Sequence, residues 1–238
     1  MKKLIVPIAL VFTFLFSSCH DDSIYIDPSD GIITETRDIR NFDGVRANGN
    51  FEVHLIDDSR YKVVVEGDDN FIDYLDSYVS GGVLVLQMRN GYSNRGNRIR
   101  IWVYAPNVYE VELNGSGTVV TDNIHNFGDY LDVKLNGSGD IRLRGNAKTV
   151  EVENTGSGDI RLIGNGRRIT ARTTGSGDID ALDFVVDEAE AKTWGSGDIS
   201  LNIWRYLFAE INGSGDIIYV GNPRVDAYRT GSGTIRRR

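Results

Sequence analysis

The sequence predicts an all-β solenoid, in which successive coils of the chain stack their strands on one another. The tripeptide Gly-Ser-Gly occurs seven times, and successive copies begin 22, 19, 19, 20, 18 and 18 residues apart. A period in this range is typical of solenoids, whose repeats bury apolar faces against their neighbours. The copies begin at Gly115, Gly137, Gly156, Gly175, Gly195, Gly213 and Gly231. Five copies continue with Asp-Ile, the first with Thr-Val and the last with Thr-Ile.

Apolar and polar residues alternate within each repeat, which is the period of a strand with one buried face. The residue four places after the first glycine is β-branched in every copy: Val119, Ile141, Ile160, Ile179, Ile199, Ile217 and Ile235. The residue six places before it is mostly apolar: Tyr109, Leu131, Val150, Ile169, Ala189, Leu207 and Val225. Glycine and β-branched residues disfavour helices. We therefore expect like residues of consecutive coils to form ladders inside a shared core.

Glycine-rich dipeptides and tripeptides mark the predicted corners of each coil. Gly-Ser-Gly lies between two strand segments, where glycine tolerates a positive φ or the close approach of a neighbouring coil. A second corner is predicted at Gly145-Asn146, Gly164-Asn165 and Gly221-Asn222, which are turn dipeptides. The glycines and serines of the repeat are thus interpreted as corner residues.

The repeat pattern also extends upstream of the first Gly-Ser-Gly. Residues 48–55 align with residues 136–143, so the first coil is predicted to begin near residue 42. Capping residues and apolar residues at helical spacing predict one short helix over residues 69–78. Residues 83–88 and 98–104 are predicted strands on either side of a polar loop. This region is less regular than the repeats.

The N-terminus has the pattern of an export signal. Residues 1–18 combine Lys2 and Lys3 with a short apolar stretch and two small residues, as in a cleaved signal peptide. Cys19, the single cysteine, follows directly and resembles the lipidated cysteine of bacterial lipoproteins. Residues 19–36 are predicted to be this lipidated cysteine and a flexible tether. Residues 37–105 are then a β-rich cap with the first coil, and residues 106–238 are the repeats.

The net charge of −8 and the pI of about 4.9 argue against nucleic acid and anionic membrane surfaces as partners. Without residues 1–18 the net charge becomes −10, because Lys2 and Lys3 are removed. We therefore expect membrane contact by the lipid anchor only. The acidic residues after Cys19 resemble signals for export to the outer face of the outer membrane. The predicted location is the outer membrane, lipid-anchored and surface-exposed.

An aspartate follows Gly-Ser-Gly in five coils: Asp140, Asp159, Asp178, Asp198 and Asp216. Stacked about 4.8 Å apart, neighbouring carboxylates would repel by roughly 1 kcal/mol in a water-like dielectric. Two arrangements would relieve that repulsion. The carboxylates accept backbone N–H groups as turn caps, or Ca²⁺ lies between them. The sequence leaves both open, and Ca²⁺ is the one cofactor it allows.

Other candidate sites are weaker. No repeat places a histidine near the corner serines, so no catalytic residue is predicted. Trp194 occupies a corner position where other repeats have Asn or Thr, and it is the predicted solvent-facing ligand contact. Tyr109 and Tyr219 fall in apolar columns and are predicted to be structural. Nucleotide-binding and zinc motifs are absent from the sequence.

The lipoprotein-like start, the opening at residues 43–53 and the recurring Gly-Ser-Gly-Asp-Ile together resemble the putative auto-transporter adhesin, head GIN domain family. The resemblance covers about residues 40–235. It implies a right-handed parallel β-helix, similar in shape to pectin-lyase-type folds but without their catalytic residues. It supplies no catalytic or binding positions.

These observations lead to a non-enzymatic, surface-anchored solenoid that binds glycans or protein partners through a broad face. A second hypothesis is a polysaccharide lyase or hydrolase that uses carboxylates on one wall, beside Arg142, Arg144 and Arg161. A third is an envelope scaffold that stacks end to end.

Overall fold

Parallel strands stacked coil on coil form a β-solenoid in the computed structural model, which describes residues 24–26, 28–29, 31–93 and 99–238. The elements in chain order are β1 (Ile24–Tyr25), β2 (Ile32–Arg37), β3 (Gly44–Asn48), β4 (Phe51–Asp57), β5 (Lys62–Asp68), α1 (Asp69–Ile72), β6 (Leu75–Ser80), β7 (Val83–Met88), β8 (Tyr92–Ser93), β9 (Ile99–Ala105), β10 (Glu110–Gly115), β11 (Thr118–Thr121), β12 (His125–Gly137), β13 (Asp140–Asn154), β14 (Ile160–Asn165), β15 (Arg168–Thr173), β16 (Ile179–Thr193), β17 (Ile199–Ile211), β18 (Ile217–Val220), β19 (Arg224–Arg229) and β20 (Ile235–Arg237).

The Gly-Ser-Gly corners divide the solenoid into two walls. Wall 1 consists of the strand segments that precede the corners: β7, β3, β10, the second part of β12 and of β13, β15, the second part of β16 and of β17, and β19. Wall 2 consists of the segments that follow them: β9, β4, β11, the first part of β13, β14, the first part of β16 and of β17, β18 and β20. All of these pairings are parallel.

The core is built from ladders of like residues, as the repeat predicts. In wall 2 the register joins Ile141, Ile160, Ile179, Ile199 and Ile217, and all five side chains are fully buried. In wall 1 the corresponding inner column is Val111, Val133, Val152, Ala171, Ala191 and Ala209. Because each coil covers the apolar face of the one before it, the stack buries surface that one coil would expose.

The chain does not stack its coils in sequence order at the N-terminal end. Strand β3 lies between β7 and β10, and β4 lies between β9 and β11. The coil of β3 and β4, which comes first in the chain, therefore lies in the middle. The coil of β7 and β9 stacks on one side of it, and the coil of β10 and β11 stacks on the other. The strands predicted over residues 83–88 and 98–104 are β7 and β9, and they extend the solenoid.

Antiparallel strands close this end. Strand β5 pairs with β9, β2 pairs with β5, and β6 pairs with β7. Arg37 donates to the carbonyl oxygens of Leu75 at 2.6 Å and Ile72 at 3.1 Å. Short antiparallel strands and a charged side chain cover the open edge of the stack.

Two predictions for this region were wrong. The helix ends at Ile72 and does not continue to residue 78, because Leu75–Ser80 pairs with β7 across a turn in which Gly81 and Gly82 have positive φ. The predicted flexible tether was also too long. Ile32–Arg37 is a strand along the edge of β5, so the ordered fold begins before residue 36. The signal peptide and Cys19 lie outside the described residues.

Candidate ligand-binding face

Close packing of consecutive corners fixes the Gly-Ser-Gly motif. A Cβ atom added at Gly158 would lie 1.7 Å from the carbonyl oxygen of Gly139, one coil earlier. The same corner is held by backbone bonds such as Ser157 N–H to the oxygen of Gly137 at 2.8 Å. Gly158 has no positive φ, so the glycine is required here by the neighbouring backbone. Ser157 is exposed.

The aspartates that follow the corners form a hydrogen-bonded ladder. In each coil the aspartate Oδ1 accepts the backbone N–H of the equivalent residue in the next coil. The pairs are Asp159 N–H to Asp140 at 3.2 Å, Asp178 to Asp159 at 2.9 Å, Asp198 to Asp178 at 2.8 Å, Asp216 to Asp198 at 2.7 Å and Thr234 to Asp216 at 2.7 Å. The N–H of Thr234, with help from Arg236, lowers the pKa of Asp216. The ladder thus joins each corner to the corner of the next coil.

No group of three or more His, Cys, Asp or Glu side chains within the described residues is arranged to hold a metal ion. Asp140 also pairs with Arg142 at 2.7 Å. The choice between capping and Ca²⁺ for this ladder remains a prediction.

A second polar ladder lies inside the corner and was missed by the sequence analysis. Asn154, Thr173 and Thr193 are fully buried at the position two residues before the first glycine. Asn154 donates to the carbonyl oxygen of Gly158 at 2.8 Å and accepts from the N–H of Gly156 at 3.0 Å. Thr173 and Thr193 bond the equivalent glycine oxygens of their coils. The available signal was a polar residue in a column that holds Leu113, Leu135 and Ile211 in other coils.

The outer face of wall 1 carries charged side chains over most of its length. Its side chains form ion pairs across and along the coils, including Arg46 with Glu112, Lys134 with Asp132 at 2.5 Å and Arg172 with Glu190 at 3.4 Å. Exposed pairs of this kind contribute only about 0–1 kcal/mol each, but they fix the side chains of the face.

The later coils replace some of these charges with aromatic rings. We name Tyr206, Phe208 and Tyr228, on wall 1, together with Trp194 at the corner that follows the wall, the aromatic patch. The rings of Phe208 and Tyr228 lie 5.5 Å apart, and Lys192 Nζ lies 5.3 Å from the centre of the Phe208 ring. The hydroxyl of Tyr206 donates to Asp226 at 2.9 Å. Trp194 and Tyr228 are exposed, while Tyr206 and Phe208 are half-buried.

A cleft of about 150 Å³ opens beside Tyr206 and Phe208. The other residues that line it are Arg168, Thr170, Glu188, Ala189 and Glu190. Arg168 and Glu188 pair at 2.5 Å, and this hydrogen bond is the main cause of the lowered pKa of Glu188. The cleft therefore combines aromatic walls with fixed charges of both signs.

The sequence analysis singled out Trp194 but not Tyr206, Phe208 or Tyr228. Trp194 lies at the surface directly after β16. Phe208 was recognisable afterwards from its column, where the other coils have Glu110, Asp132, Glu151, Thr170, Glu190 and Asp226. An aromatic residue in a column of mostly charged residues indicates a special position. The alternation of apolar and polar residues does not reveal it, because that pattern predicts only whether a side chain faces inward or outward.

Tyr109 was predicted in the core and is instead at the surface, 38% exposed. It precedes β10, where the chain returns from β9, so the apolar column does not extend to it. Tyr219 is partly buried and packs against the core.

The two described histidines lie apart from the corner serines. His54 is held on wall 2 by Asp122 at 2.6 Å and Glu52 at 3.3 Å. His125 is buried and stacks on Phe127 with ring centres 4.9 Å apart. Burial lowers the pKa of His125, and neither of its ring nitrogens has a partner among the described residues.

Comparisons with known proteins agree on the fold. The model of the family described as "Putative auto-transporter adhesin, head GIN domain" matches residues 41–223. A crystal structure of a putative adhesin from Bacteroides fragilis superposes with a TM-score of 0.81 at 24% identity, covering 91% of this chain and 100% of that one. No curated protein matches the chain.

Two proteins of Parabacteroides are also similar in structure. A putative lipid binding protein from Parabacteroides distasonis gives a TM-score of 0.76 at 26% identity, covering 90% of this chain and 100% of that one. A putative adhesin from Parabacteroides merdae gives a TM-score of 0.71 at 20% identity, covering 90% of this chain and 99% of that one.

Within the described residues, no helix is long and apolar enough to cross a membrane.

Proposed function

Because this chain belongs to the putative auto-transporter adhesin, head GIN domain family, we propose that it is a non-enzymatic adhesin that binds a glycan through the outer face of wall 1. The family and the similar structures support an adhesive role at the cell surface. Two parts of the proposal go beyond the family and the similar structures: the ligand is a glycan, and it binds on the outer face of wall 1.

The aromatic patch is the observation that carries the proposal. Sugar rings present flat faces of C–H groups, which pack on aromatic rings, while their hydroxyls need charged or polar partners. Trp194, Phe208 and Tyr228 supply the rings, and Arg168 and Glu188 supply donors and acceptors in the adjoining cleft. Exposed aromatic area of this kind on a soluble surface marks an interaction site.

The rigidity of the wall supports the same conclusion. The patch lies on parallel strands whose inner residues, such as Leu207 and Ala209, are fully buried. Binding groups held on such a scaffold lose little conformational freedom when a ligand arrives. A face built from several stacked coils also suits an extended polymer that contacts more than one coil.

The lipid anchor on Cys19 is proposed from the sequence around it. A lipidated Cys19 would leave about a dozen residues before strand β2, which begins at Ile32. Such an anchor would hold the solenoid at the outer membrane without a spanning helix. Replacing Cys19 by alanine and testing for incorporation of labelled palmitate checks this step, because incorporation that persists in the variant contradicts it.

The aspartate ladder gives little support to the lyase or hydrolase hypothesis. Each carboxylate, such as Asp178, already accepts a backbone N–H of the next coil, so one of its oxygens is engaged in the stacking of the solenoid. The scaffold hypothesis would be favoured by self-association of the purified chain in light scattering.

Binding of residues 20–238, which contain all of the described structure, to arrays of glycans, matrix proteins and lipid vesicles tests the proposal. We expect glycan binding that Phe208→Ala, Tyr228→Ala and Trp194→Ala each weaken at least about tenfold, or 1.4 kcal/mol. Tyr78→Ala is the control, because Tyr78 is 45% exposed but lies on β6, at the opposite end of the solenoid from the patch. Glycan binding unaffected by the patch variants, or binding to proteins or vesicles alone, would overturn the proposal.

A further inference from the structure

A bulge in β12 breaks the regular repeat at one place. The first two Gly-Ser-Gly copies are 22 residues apart, the longest interval in the series. The register between β12 and β13 shifts between Asn126 and Gly128, and Gly128 has a φ of +71°. A bulge of this kind commonly turns the following side chains in a new direction. Here the following residues are Asp129 and Tyr130.

The bulge builds a cleft with two tyrosines. Tyr109, Gly128, Asp129 and Tyr130 line a volume of about 540 Å³ on the outside of the solenoid. Tyr109 and Tyr130 are 38% and 40% exposed, so both rings are partly held in place and partly open. A Cβ atom at Gly128 would lie 3.6 Å from the Tyr109 ring, so the ring packs directly over the glycine. We name this site the tyrosine cleft.

Carboxylates surround the tyrosine cleft. The side chain of Asp129 is 92% exposed, and Lys148 Nζ lies 3.6 Å from its Oδ1. Burial, and then the charges of Asp132 and Glu151, raise the pKa of the Tyr130 phenol. Lys134 Nζ forms an ion pair with Asp132 Oδ2 at 2.5 Å. On a chain with a net charge of −8, this site attracts cations.

The chemistry of the lining narrows the class of cation. The faces of aromatic rings attract cations, and two rings beside a carboxylate are the arrangement that recognises quaternary ammonium groups. The lining side chains are two tyrosines and one aspartate, with a single carboxylate among them. The lining therefore offers few free donors for a neutral sugar, which requires several. A quaternary ammonium group needs no hydrogen bond, only rings and negative charge.

We propose that the tyrosine cleft binds a quaternary alkylammonium group, with Tyr109 and Tyr130 against its methyl groups and Asp129 supplying the countercharge. This site is independent of the proposed glycan function, because the aromatic patch lies on later coils of the solenoid. Either could fail without the other.

Calorimetric titration of the full chain, purified in a detergent without a choline group, tests the cleft with choline as the probe. We expect saturable binding that 3,3-dimethylbutan-1-ol, the uncharged analogue of choline, reproduces at least tenfold more weakly. Tyr130→Leu is expected to abolish binding. Asp129→Lys is expected to weaken it at least tenfold, because the exposed side chain changes the charge without disturbing packing. Tyr228→Ala, in the aromatic patch, is the control and should bind choline normally.

Each other outcome would overturn the proposal. Equal binding of choline and its uncharged analogue would indicate an apolar cleft that does not read charge. Preferential binding of methyl glucoside would indicate a sugar site. No binding of choline up to about 50 mM by a folded chain, about 1.8 kcal/mol of binding free energy, would remove the site. Normal binding by Asp129→Lys would do the same, since that variant keeps both rings.

Discussion

The backbone N–H of Asp198 donates a 2.8 Å hydrogen bond to Oδ1 of Asp178, the equivalent residue one coil earlier. The same bond recurs from Asp140 to Thr234, so one row of carboxylates joins six consecutive corners. Each negative charge is placed against a backbone dipole of the next coil, which offsets the repulsion between neighbouring aspartates. A column of like charges thus contributes to the stacking of the solenoid.

Two substitutions of Asp178 distinguish the contribution of its hydrogen bond to stability from the contribution of its negative charge. Asp178→Ala removes the acceptor for Asp198 N–H and is expected to lower the free energy of unfolding by about 1–2 kcal/mol. Asp178→Asn keeps an acceptor oxygen and reduces the repulsion, so its effect should be below about 0.5 kcal/mol. Denaturation in urea compares the three proteins. Should added Ca²⁺ raise the melting temperature of the parent and not of Asp178→Asn, the calcium interpretation would be favoured instead.

Adding one methyl group at the corner should be far more damaging. Gly158→Ala places a Cβ within 1.7 Å of the Gly139 oxygen, so two coils must separate. We expect a loss of at least about 3 kcal/mol, at the severe end for overpacking. Ser157→Ala, one residue away on an exposed side chain, should change the free energy of unfolding by less than about 0.5 kcal/mol. Similar melting temperatures for the two variants would contradict the packing argument.

The repeat was sufficient to predict the solenoid and its register. Coils of nearly equal length place equivalent residues next to each other, as Ile160 lies beside Ile141 and Ile179. It could not place the coil of β7 and β9, since that coil is joined to the first one by pairing between distant segments with no shared motif. The helix prediction failed for a related reason. Leu75 and Tyr78 have helical spacing, but pairing with β7 outweighed that local preference.

The candidate sites were less predictable than the fold. Trp194 was recognised because it differs from the other residues at its corner. Phe208 and Tyr228 face outward on neighbouring strands, and the three-dimensional structure is needed to show that their rings lie 5.5 Å apart, with Lys192 beside Phe208. The tyrosine cleft depends on a bulge, and a bulge reverses the inward and outward assignment that alternation implies.

The buried polar ladder predicts a contrast between two substitutions at one position. Asn154→Leu removes the bonds to the Gly158 oxygen and the Gly156 N–H, leaving buried backbone groups without a partner. We expect it to lower the free energy of unfolding by about 2–4 kcal/mol. Asn154→Thr copies Thr173 and Thr193 of the next two coils, whose hydroxyls bond the equivalent oxygen, and should lose about 1 kcal/mol or less. Thermal unfolding measures both, and a leucine variant as stable as the threonine variant would contradict the role of the ladder.

His125 should make the stability of the solenoid depend on pH below about 6.5. Burial lowers its pKa from 6.5 in the folded chain, with Asp57 opposing the shift. Above pH 6.5 the imidazole is neutral in both states and contributes no pH dependence. As the pH falls, the unfolded chain takes up the proton first, so the folded state loses stability until the pH reaches the folded pKa.

His125→Leu should remove that loss while keeping an apolar side chain against Phe127. The stabilities of the parent and variant are compared by urea denaturation between pH 8 and pH 5. The free energy of unfolding of the parent should fall relative to the variant by up to about 1.4 kcal/mol per pH unit below 6.5. The two proteins differ only at residue 125, so the difference between their stabilities isolates the contribution of His125. Parallel curves over this range would show that His125 reaches a partner or solvent when protonated, and the buried neutral imidazole would have to be abandoned.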